Sequence, residues 1–358
     1  MVVGKFYPPH AGHHALIEAA AAVCDRLIVV VAPSSAESVP LALRLEWLRE
    51  THGTGVHVVG RYDDHPVDYA DPAAWDRHMA VFRAAAGTDR VDAVFSSEAY
   101  GAELARRFGA VAVTVDPARE RVPVSGTAVR ADPVGHWDLL GPGVRAWLTR
   151  RVIVVGAEST GTTTMARALA RHYRLRGGVW ARTRWVPEFG RELTARKLAA
   201  LRRTRPRATV DEVTWDRADF RRVAAEQNAA EDAAARDGAP ILFGDTDAFA
   251  TTIWEERYLG SGSPEVAGQV RAPALYLLTD DAGVPFVDDG LRDGEAVRSW
   301  MTGRFRAELA ARDVPHRVLT GGYPERLRAA VSACDDLLAR GWFFAEPLSP
   351  AGSGPNGE

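Results

Sequence analysis

His10 and His13, three residues apart, flank Gly12 in the segment Gly4-Lys5-Phe6-Tyr7-Pro8-Pro9-His10-Ala11-Gly12-His13. An apolar run, Val2–Phe6, leads into the segment, and the helical pattern His13–Cys24 leads out of it. A strand-to-helix turn of this kind attracts anions, because the first N–H groups of a helix have no partners within it. Gly4 permits close backbone approach, Pro8-Pro9 stiffens the turn, and Gly12 leaves room for a phosphate. Two imidazoles at this spacing point into one volume, where they can donate hydrogen bonds to oxygens that gain charge during reaction. His14 has no such placement and reads as an ordinary helix residue.

A second chemical segment is Ser125-Gly126-Thr127-Ala128-Val129-Arg130. Its hydroxyls suit the start of a helix, and Arg130 lies one turn on, within reach of phosphate oxygens. A third is Gly156-Ala157-Glu158-Ser159-Thr160-Gly161-Thr162-Thr163, which follows the apolar run Val152–Val155 and precedes a helix expected from Thr164. That context is the one a phosphate-cradling loop needs, with Thr163 the hydroxyl for a divalent ion. Thr162 stands where such loops carry lysine. Glu188-Phe189-Gly190-Arg191, Gly244-Asp245-Thr246-Asp247 and Asp289-Gly290-Leu291-Arg292 supply further carboxylates and cations in the same half. Asp245, placed after a strand, suits Mg²⁺ or a substrate hydroxyl.

The elements that hold these residues alternate between β-rich apolar runs and helical patterns, which predicts an α/β chain with parallel sheets. Strands are expected at Val2–Phe6, Leu27–Ala32, Val56–Gly60, Val91–Ser96 and Ala110–Val115, then at Arg150–Val155, Pro240–Phe243, Ala274–Leu278 and His316–Leu319. At 358 residues the chain suits two domains. The pattern resets around residues 138–149, giving expected domains over 1–148 and 149–343, with a disordered tail over 344–358. Arg196–Arg207 reads as a mobile basic loop.

The net charge of −3 gives no sign of a nucleic-acid or anionic-membrane surface. No apolar run approaches the roughly 20 residues of a membrane span. Cys24 and Cys334 read as small buried residues, and the chain as cytoplasmic. Lysine occurs only at Lys5 and Lys197, so arginine carries nearly all the basic charge.

Together the His-x-Gly-His and Ser-x-Thr-x-x-Arg segments resemble the nucleotidyltransferase superfamily. The string from Gly4 to His13 is similar to the nicotinamide mononucleotide (NMN) adenylyltransferase domain of NadR-type bifunctional NAD-salvage proteins. The later segments resemble the nicotinamide-riboside kinase domain of that family. The resemblance implies a Rossmann-like adenylyltransferase followed by a P-loop kinase-like domain. It implies in-line attack of the NMN phosphate on the α-phosphate of ATP, with Mg²⁺ and no covalent intermediate.

Carried over residue by residue, it makes His10, His13, Arg130 and Asp245 catalytic. It gives ATP contacts to Gly4, Lys5, Phe6, Gly12, Ser125 and Thr127 in the first site, and to Gly156, Ser159, Gly161, Thr162, Thr163 and Thr164 in the second. Glu188, Arg191, Asp247 and Arg292 are implied riboside or phosphate ligands, with Thr163 and Asp245 for the metal. Trp75 is either a stacking platform for nicotinamide or a core residue. Arg44 falls on a helix beside the family's site, and Trp47 reads as core. The implied partners are small molecules (ATP, NMN and nicotinamide riboside), with no nucleic acid or membrane and with room for a homo-oligomer. Some members carry an N-terminal DNA-binding helix-turn-helix; this sequence begins at the first strand, so repression is not expected. Adenylyl transfer to FMN or phosphopantetheine, or a second domain that only senses nucleotide, are the rival readings.

Overall fold

Strands covered on both faces must be apolar at every position, and the runs Leu27–Val31 and Val152–Val155 meet that demand. The computed structural model describes residues 1–346. Two units are distinguished, one of Met1–Val144 with the segment from Trp342, the other of Arg145–Gly341.

In the first unit the order is β1 (Val2–Gly4), α1 (Ala11–Ala21), β2 (Leu27–Val31), α2 (Leu41–His52), β3 (Val56–Gly60), α3 (Pro72–Ala86), β4 (Ala93–Ser96), α4 (Tyr100–Phe108), β5 (Val111–Thr114) and α5 (Gly126–Ala131). The sheet runs β3-β2-β1-β4-β5 with every pairing parallel. Chain order reverses at β1, and ligands of open parallel sheets bind beyond the strand ends at such a point. Val29 and Val31 enter one buried cluster while Ile28 and Val30 enter another, the two-residue period that puts helices on both faces. Helix α3 is bounded by local chemistry. Asp71 accepts from the N–H groups of Ala73 and Ala74, Pro72 opens the first turn, and Gly87 closes the last at φ 66°.

Helix α6 (Pro142–Leu148) leads to the second unit, where β6 (Arg150–Val155), α7 (Thr162–Arg174), β7 (Arg184–Val186), α8 (Phe189–Arg202), α9 (Arg217–Asp237) and β8 (Ile241–Asp245) follow. Then come α10 (Ala248–Leu259), α11 (Pro264–Ala267), β9 (Leu275–Thr279), α12 (Arg298–Ala311), β10 (His316–Leu319) and α13 (Tyr323–Ala339). The sheet order is β10-β9-β6-β8-β7, again parallel throughout. Val152 and Val154 face one cluster, Ile153 and Val155 the other. The expectation of α/β units with parallel sheets is met in both.

Several local expectations are corrected. Arg196–Arg207 is no mobile loop over its first half, because α8 runs to Arg202 on an apolar face that buries Leu193 and Leu198. Strand β7 is too short to show an alternating pattern. Cys334 is buried, whereas Cys24 lies beyond the end of α1 and is partly exposed. The expected tail begins too early. Phe344 packs edge-on against Tyr7 at 5.7 Å, the Tyr7 hydroxyl donates to the Ala345 carbonyl at 2.9 Å, and the Ala345 N–H reaches Ser38 Oγ at 2.6 Å. The rest of that tail, 347–358, lies outside the described residues. No helix among the described residues is long and apolar enough to cross a membrane.

Candidate functional site

Strand β1 ends at Gly4, and the chain turns through Phe6, which holds φ 51° although it is not glycine. Such backbone strain persists only where surroundings over-determine it. Here the Phe6 ring fills the space above Gly4, where a Cβ would stand 3.2 Å from the ring. The chain then enters α1 with His10 at the N-cap, its carbonyl accepting from the N–H of His13 at 2.9 Å. The His10 and His13 rings lie 3.7 Å apart between centroids. Room left by Gly12 is taken first by the His10 ring, 3.2 Å from where a Cβ would sit.

His10 Nδ1 and Nε2 and His13 Nδ1 are buried without hydrogen-bond partners. Burial, then the charges of His14 and Arg119, lowers His10 to about 3, and burial followed by His10 holds His13 well below the usual histidine range. Both rings are therefore neutral, each with one N–H to give. Unpaired donors buried in a cavity wall are expensive unless a ligand completes them.

Across the cavity α5 begins at Ser125, whose hydroxyl caps the Ala128 N–H at 3.1 Å. Arg130 donates to the Tyr7 carbonyl at 2.8 Å and to Thr127 Oγ1 at 3.2 Å, tying α5 to the turn after β1. Gly4, Lys5, Phe6, His10, Gly12, His13, Ser125, Thr127 and Arg130 all line one cavity of about 820 Å³, within the range of small-molecule sites. Arg119 and Glu98, paired at 2.5 Å, line it as well and were missed in the sequence. They lie on two different loops, after β4 and after β5, and no spacing marks them.

Lys5 reaches Glu37 at 3.0 Å. Arg44 is fully buried, bonded to Glu37 at 2.6 Å and to the Lys5 carbonyl at 2.7 Å, so it braces the turn from behind. Trp47 is core. Trp75 is a core residue that also borders a cavity. It is 6% exposed and packs in the core beside Met79, yet it walls a smaller cavity with Gly4, Lys5, Tyr69 and Tyr100. Asp76 turns outward to Arg107 at 2.6 Å.

In the second unit β6 runs into Gly156, where a Cβ would meet Thr160 Oγ1 at 2.7 Å and the Thr279 hydroxyl closer still. Ser159 at φ 59° and Gly161 at φ 92° curl the loop, and α7 starts at Thr162, two residues earlier than expected. Thr162, Thr163 and Thr164 therefore form its first turn, where unpaired N–H groups collect. Thr163 donates to Asp245 Oδ2 at 2.5 Å. Asp245 is the last residue of β8, opposite Val154. Its Oδ1 is buried and unpartnered, and burial pushes its carboxyl above the usual range. Burial and then the Asp245 charge push Glu188 up to about 8.

Arg191 and Arg292 both pair with Asp289, at 2.6 and 3.3 Å, and Arg292 Nη1 also donates to Ser159 Oγ at 3.2 Å. A guanidinium from 133 residues downstream thus lies against the loop after β6. Glu188, Arg191, Arg292, Ser159, Thr162 and Thr163 line one cleft. Asp247 is not among its lining residues. It caps α10 through the Ala250 N–H at 2.9 Å, and its other oxygen accepts from Tyr276 at 2.6 Å. The opposite wall, unforeseen, is aromatic: Trp215, Phe220, Trp254 and Tyr258, with rings 5.2–6.3 Å apart. Trp254 and Tyr258, four apart on α10, carried a helical spacing that could have disclosed half of it.

Residues 1–132 match the cytidylyltransferase-like family model, and residues 151–326 match an AAA domain model. The chain is 26% identical over 186 residues to the trifunctional NAD biosynthesis/regulator protein NadR of Salmonella typhimurium, and 29% over 189 residues to that of Escherichia coli. Each match covers 48% of this chain and 45% of the relative, so the chain spans about half the length of the curated relatives it matches. A crystal structure of a NadR protein in complex with NR aligns over 97% of both chains with TM-score 0.70 and 22% identity. One in complex with NAD and AMP-PNP aligns over 94% of this chain and 95% of that one, with TM-score 0.66 and 23% identity. The two-domain resemblance drawn from the motifs holds in the fold, the domain order and the relatives matched.

Proposed function

We propose that the chain is a cytoplasmic NAD-salvage enzyme with two sites, whose domains fall over 1–148 and 149–343. The first transfers AMP from ATP to NMN, giving NAD and pyrophosphate; the second phosphorylates nicotinamide riboside to NMN. The observation that carries the first activity is the pair of buried neutral imidazoles, His10 and His13, with unpartnered nitrogens in one cavity with Arg130.

An oxygen of the NMN phosphate attacks the α-phosphorus, and pyrophosphate leaves from the opposite side. Neutral imidazoles are suited to this step. Each donates one N–H to oxygens whose charge grows at the transition state, and neither needs to lose a proton first. Arg130, held by Tyr7 and Thr127, is placed to steady the departing phosphates. No nucleophile with a paired base is needed, because positioning and electrostatics suffice for phosphate chemistry.

For the second activity, Thr163 and the bare Oδ1 of Asp245 are hard oxygen donors of the kind that suits Mg²⁺. Mg²⁺ bound there supplies positive charge to the nucleotide's phosphate oxygens. Arg292 stands in for the absent lysine, and Glu188, kept largely protonated by burial and the Asp245 charge, is placed to hydrogen-bond a hydroxyl of the riboside. The aromatic wall of Trp215, Trp254 and Tyr258 offers faces to a cationic pyridinium ring.

The test is a product assay on the purified chain, with ATP plus NMN in one arm and ATP plus nicotinamide riboside in the other. NAD in the first arm and NMN in the second support the proposal. NAD from supplied NMN but no NMN from the riboside would make the second domain a nucleotide sensor. Failure with NMN but turnover of FMN or phosphopantetheine would move the chain to another acceptor.

A further inference from the structure

Asp63 and His65, on the loop after β3, and His78, on the second turn of α3, bring three ligand atoms within 4.8 Å of one another. No motif in the sequence marks them, and neither proposed activity uses them. Asp63 is the buried member, with 7% of its surface exposed. Its Oδ1 lies 2.9 Å from His65 Nδ1, and its Oδ2 lies 2.6 Å from His78 Nδ1.

The other nitrogen of His78 makes this arrangement informative. Nε2 lies 3.2 Å from the Pro66 carbonyl, which can only accept, so this contact is a hydrogen bond when Nε2 carries a proton. In a neutral ring that leaves Nδ1 with a lone pair, aimed at a carboxylate oxygen 2.6 Å away. Two lone pairs at that distance repel. A positive centre removes the conflict, either a second proton on His78 or a metal ion held by both groups. Metal-bound histidines commonly hold their second N–H on a backbone carbonyl, as His78 does on Pro66. His65 turns its own Nδ1 to the other oxygen, which makes a third donor on one face; a lone imidazolium–carboxylate pair has no use for it.

We propose that Asp63, His65 and His78 form a binding site for a divalent transition-metal ion of the Zn²⁺ or Co²⁺ class. Two imidazoles and one carboxylate are the borderline donor set that favours such ions over Mg²⁺ or Ca²⁺. The three residues line the cavity that Trp75 and Lys5 also wall, so a fourth coordination position opens into that cavity. Three protein ligands with an open position is the pattern of metals that take a water or a substrate atom. The site stands whether or not the adenylyl-transfer proposal does, since its evidence is confined to these side chains.

The experiment uses the untagged full chain, stripped by chelator and titrated with Co²⁺ in excess Mg²⁺, which occupies all-oxygen sites. The expected result is one equivalent of Co²⁺ with the intense visible bands of low coordination, displaced by Zn²⁺. Loss of an outer-shell partner costs a metal site about 10- to 100-fold in affinity. Loss of a ligand in His78→Ala or Asp63→Asn should therefore weaken uptake by at least about 100-fold. A second measurement on the wild type alone guards against misfolded variants: Zn²⁺ should protect His65 and His78 from acylation by diethyl pyrocarbonate, read by peptide mass. Absent Co²⁺ bands, bands unchanged in both variants, or no protection by Zn²⁺ would overturn the site. So would a His78 ring shown by NMR to carry both protons at neutral pH in the presence of Zn²⁺.

Discussion

The turns at residues 4–13 and 156–163 have the same plan of strand, tight turn and helix, yet under the proposed function they would meet phosphate differently. The first recruits side chains from within itself, His10 and His13, stripped of charge by burial. The second relies on backbone N–H groups and hydroxyls at the start of α7, and its nearby cation arrives from Arg292, 133 residues after Ser159. Neutral donors exert little pull on a ground-state phosphate, so they favour a step in which charge moves. A guanidinium grips the phosphate throughout. The same local fold thus serves two division-of-labour schemes: in one the turn itself supplies the neutral donors and α5 adds Arg130, and in the other the turn supplies only hydroxyls and N–H groups and its cation comes from distant chain.

The largest effect expected from that contrast is at Arg292. If the remote cation replaces the missing lysine, Arg292→Ala lowers phosphorylation of nicotinamide riboside by about 10³-fold, the scale of a lost transition-state arginine. NAD formation from supplied NMN should be untouched. Equal loss of both activities would show damage to the fold and erase the distinction between the turns.

His10→Ala and His13→Ala are expected to lower NAD formation by about 10²-fold each, as for removal of one preorganised donor. Riboside phosphorylation serves as the internal control. Because both rings are already neutral, the NAD-forming rate should show no acid limb at the ordinary histidine pKa of about 6.5. An acid limb there that disappears in His10→Ala would mean that the ligand-free ring titrates normally, and the neutral-donor scheme would fail.

The two units should also respond to pH in opposite directions. His10 is lowered to about 3 in the folded state, so an unfolded chain binds more protons below about 6.5, and the first unit loses stability as pH falls through that range. Glu231, buried and beside the Asp247 charge, is raised to about 8. The folded second unit keeps that proton while the unfolded chain loses it above about 4.3, so stability falls as pH rises toward 8. Each group contributes at most about 1.4 kcal/mol per pH unit. Hydrogen exchange resolved by unit would show the opposed slopes, with Glu231→Gln flattening the second.

The smallest effect belongs to Trp75. Loss of a stacking face is worth about 1 kcal/mol, so Trp75→Leu should raise the KM for NMN several-fold and leave that for ATP nearly unchanged. Equal shifts for both substrates, with a lowered Tm, would assign the ring to the core alone.

How much of this was legible depended on distance along the chain. The imidazole pair, the Ser125 cap and the glycines of the phosphate loop are local patterns, and each was read where it stands. Nine of the ten strands were found, helped by covered sheet faces that leave uninterrupted apolar runs such as Leu27–Val31, whereas β7, only Arg184-Trp185-Val186, was missed. Asp247 was misplaced because a carboxylate after a strand can serve as a site residue or as a helix cap, and only Tyr276, 29 residues on, decides between them. Glu98 with Arg119, and Trp215 with Phe220, join a wall only through tertiary packing. Asp63, His65 and His78 escaped for the same reason, since a loop and a helix must fold together before three donors share one face.

The return of Phe344 and Ala345 to Tyr7 has a consequence for synthesis on the ribosome. Domains ordinarily fold as units in the order in which they emerge. Here the first unit draws on both ends of the described chain, with all of Arg145–Gly341 between them. The nascent N-terminal sheet can form early, but Tyr7 waits for the Ala345 carbonyl until the intervening unit has been made. The turn that carries His10 and His13 is therefore among the last parts of the described chain to be completed.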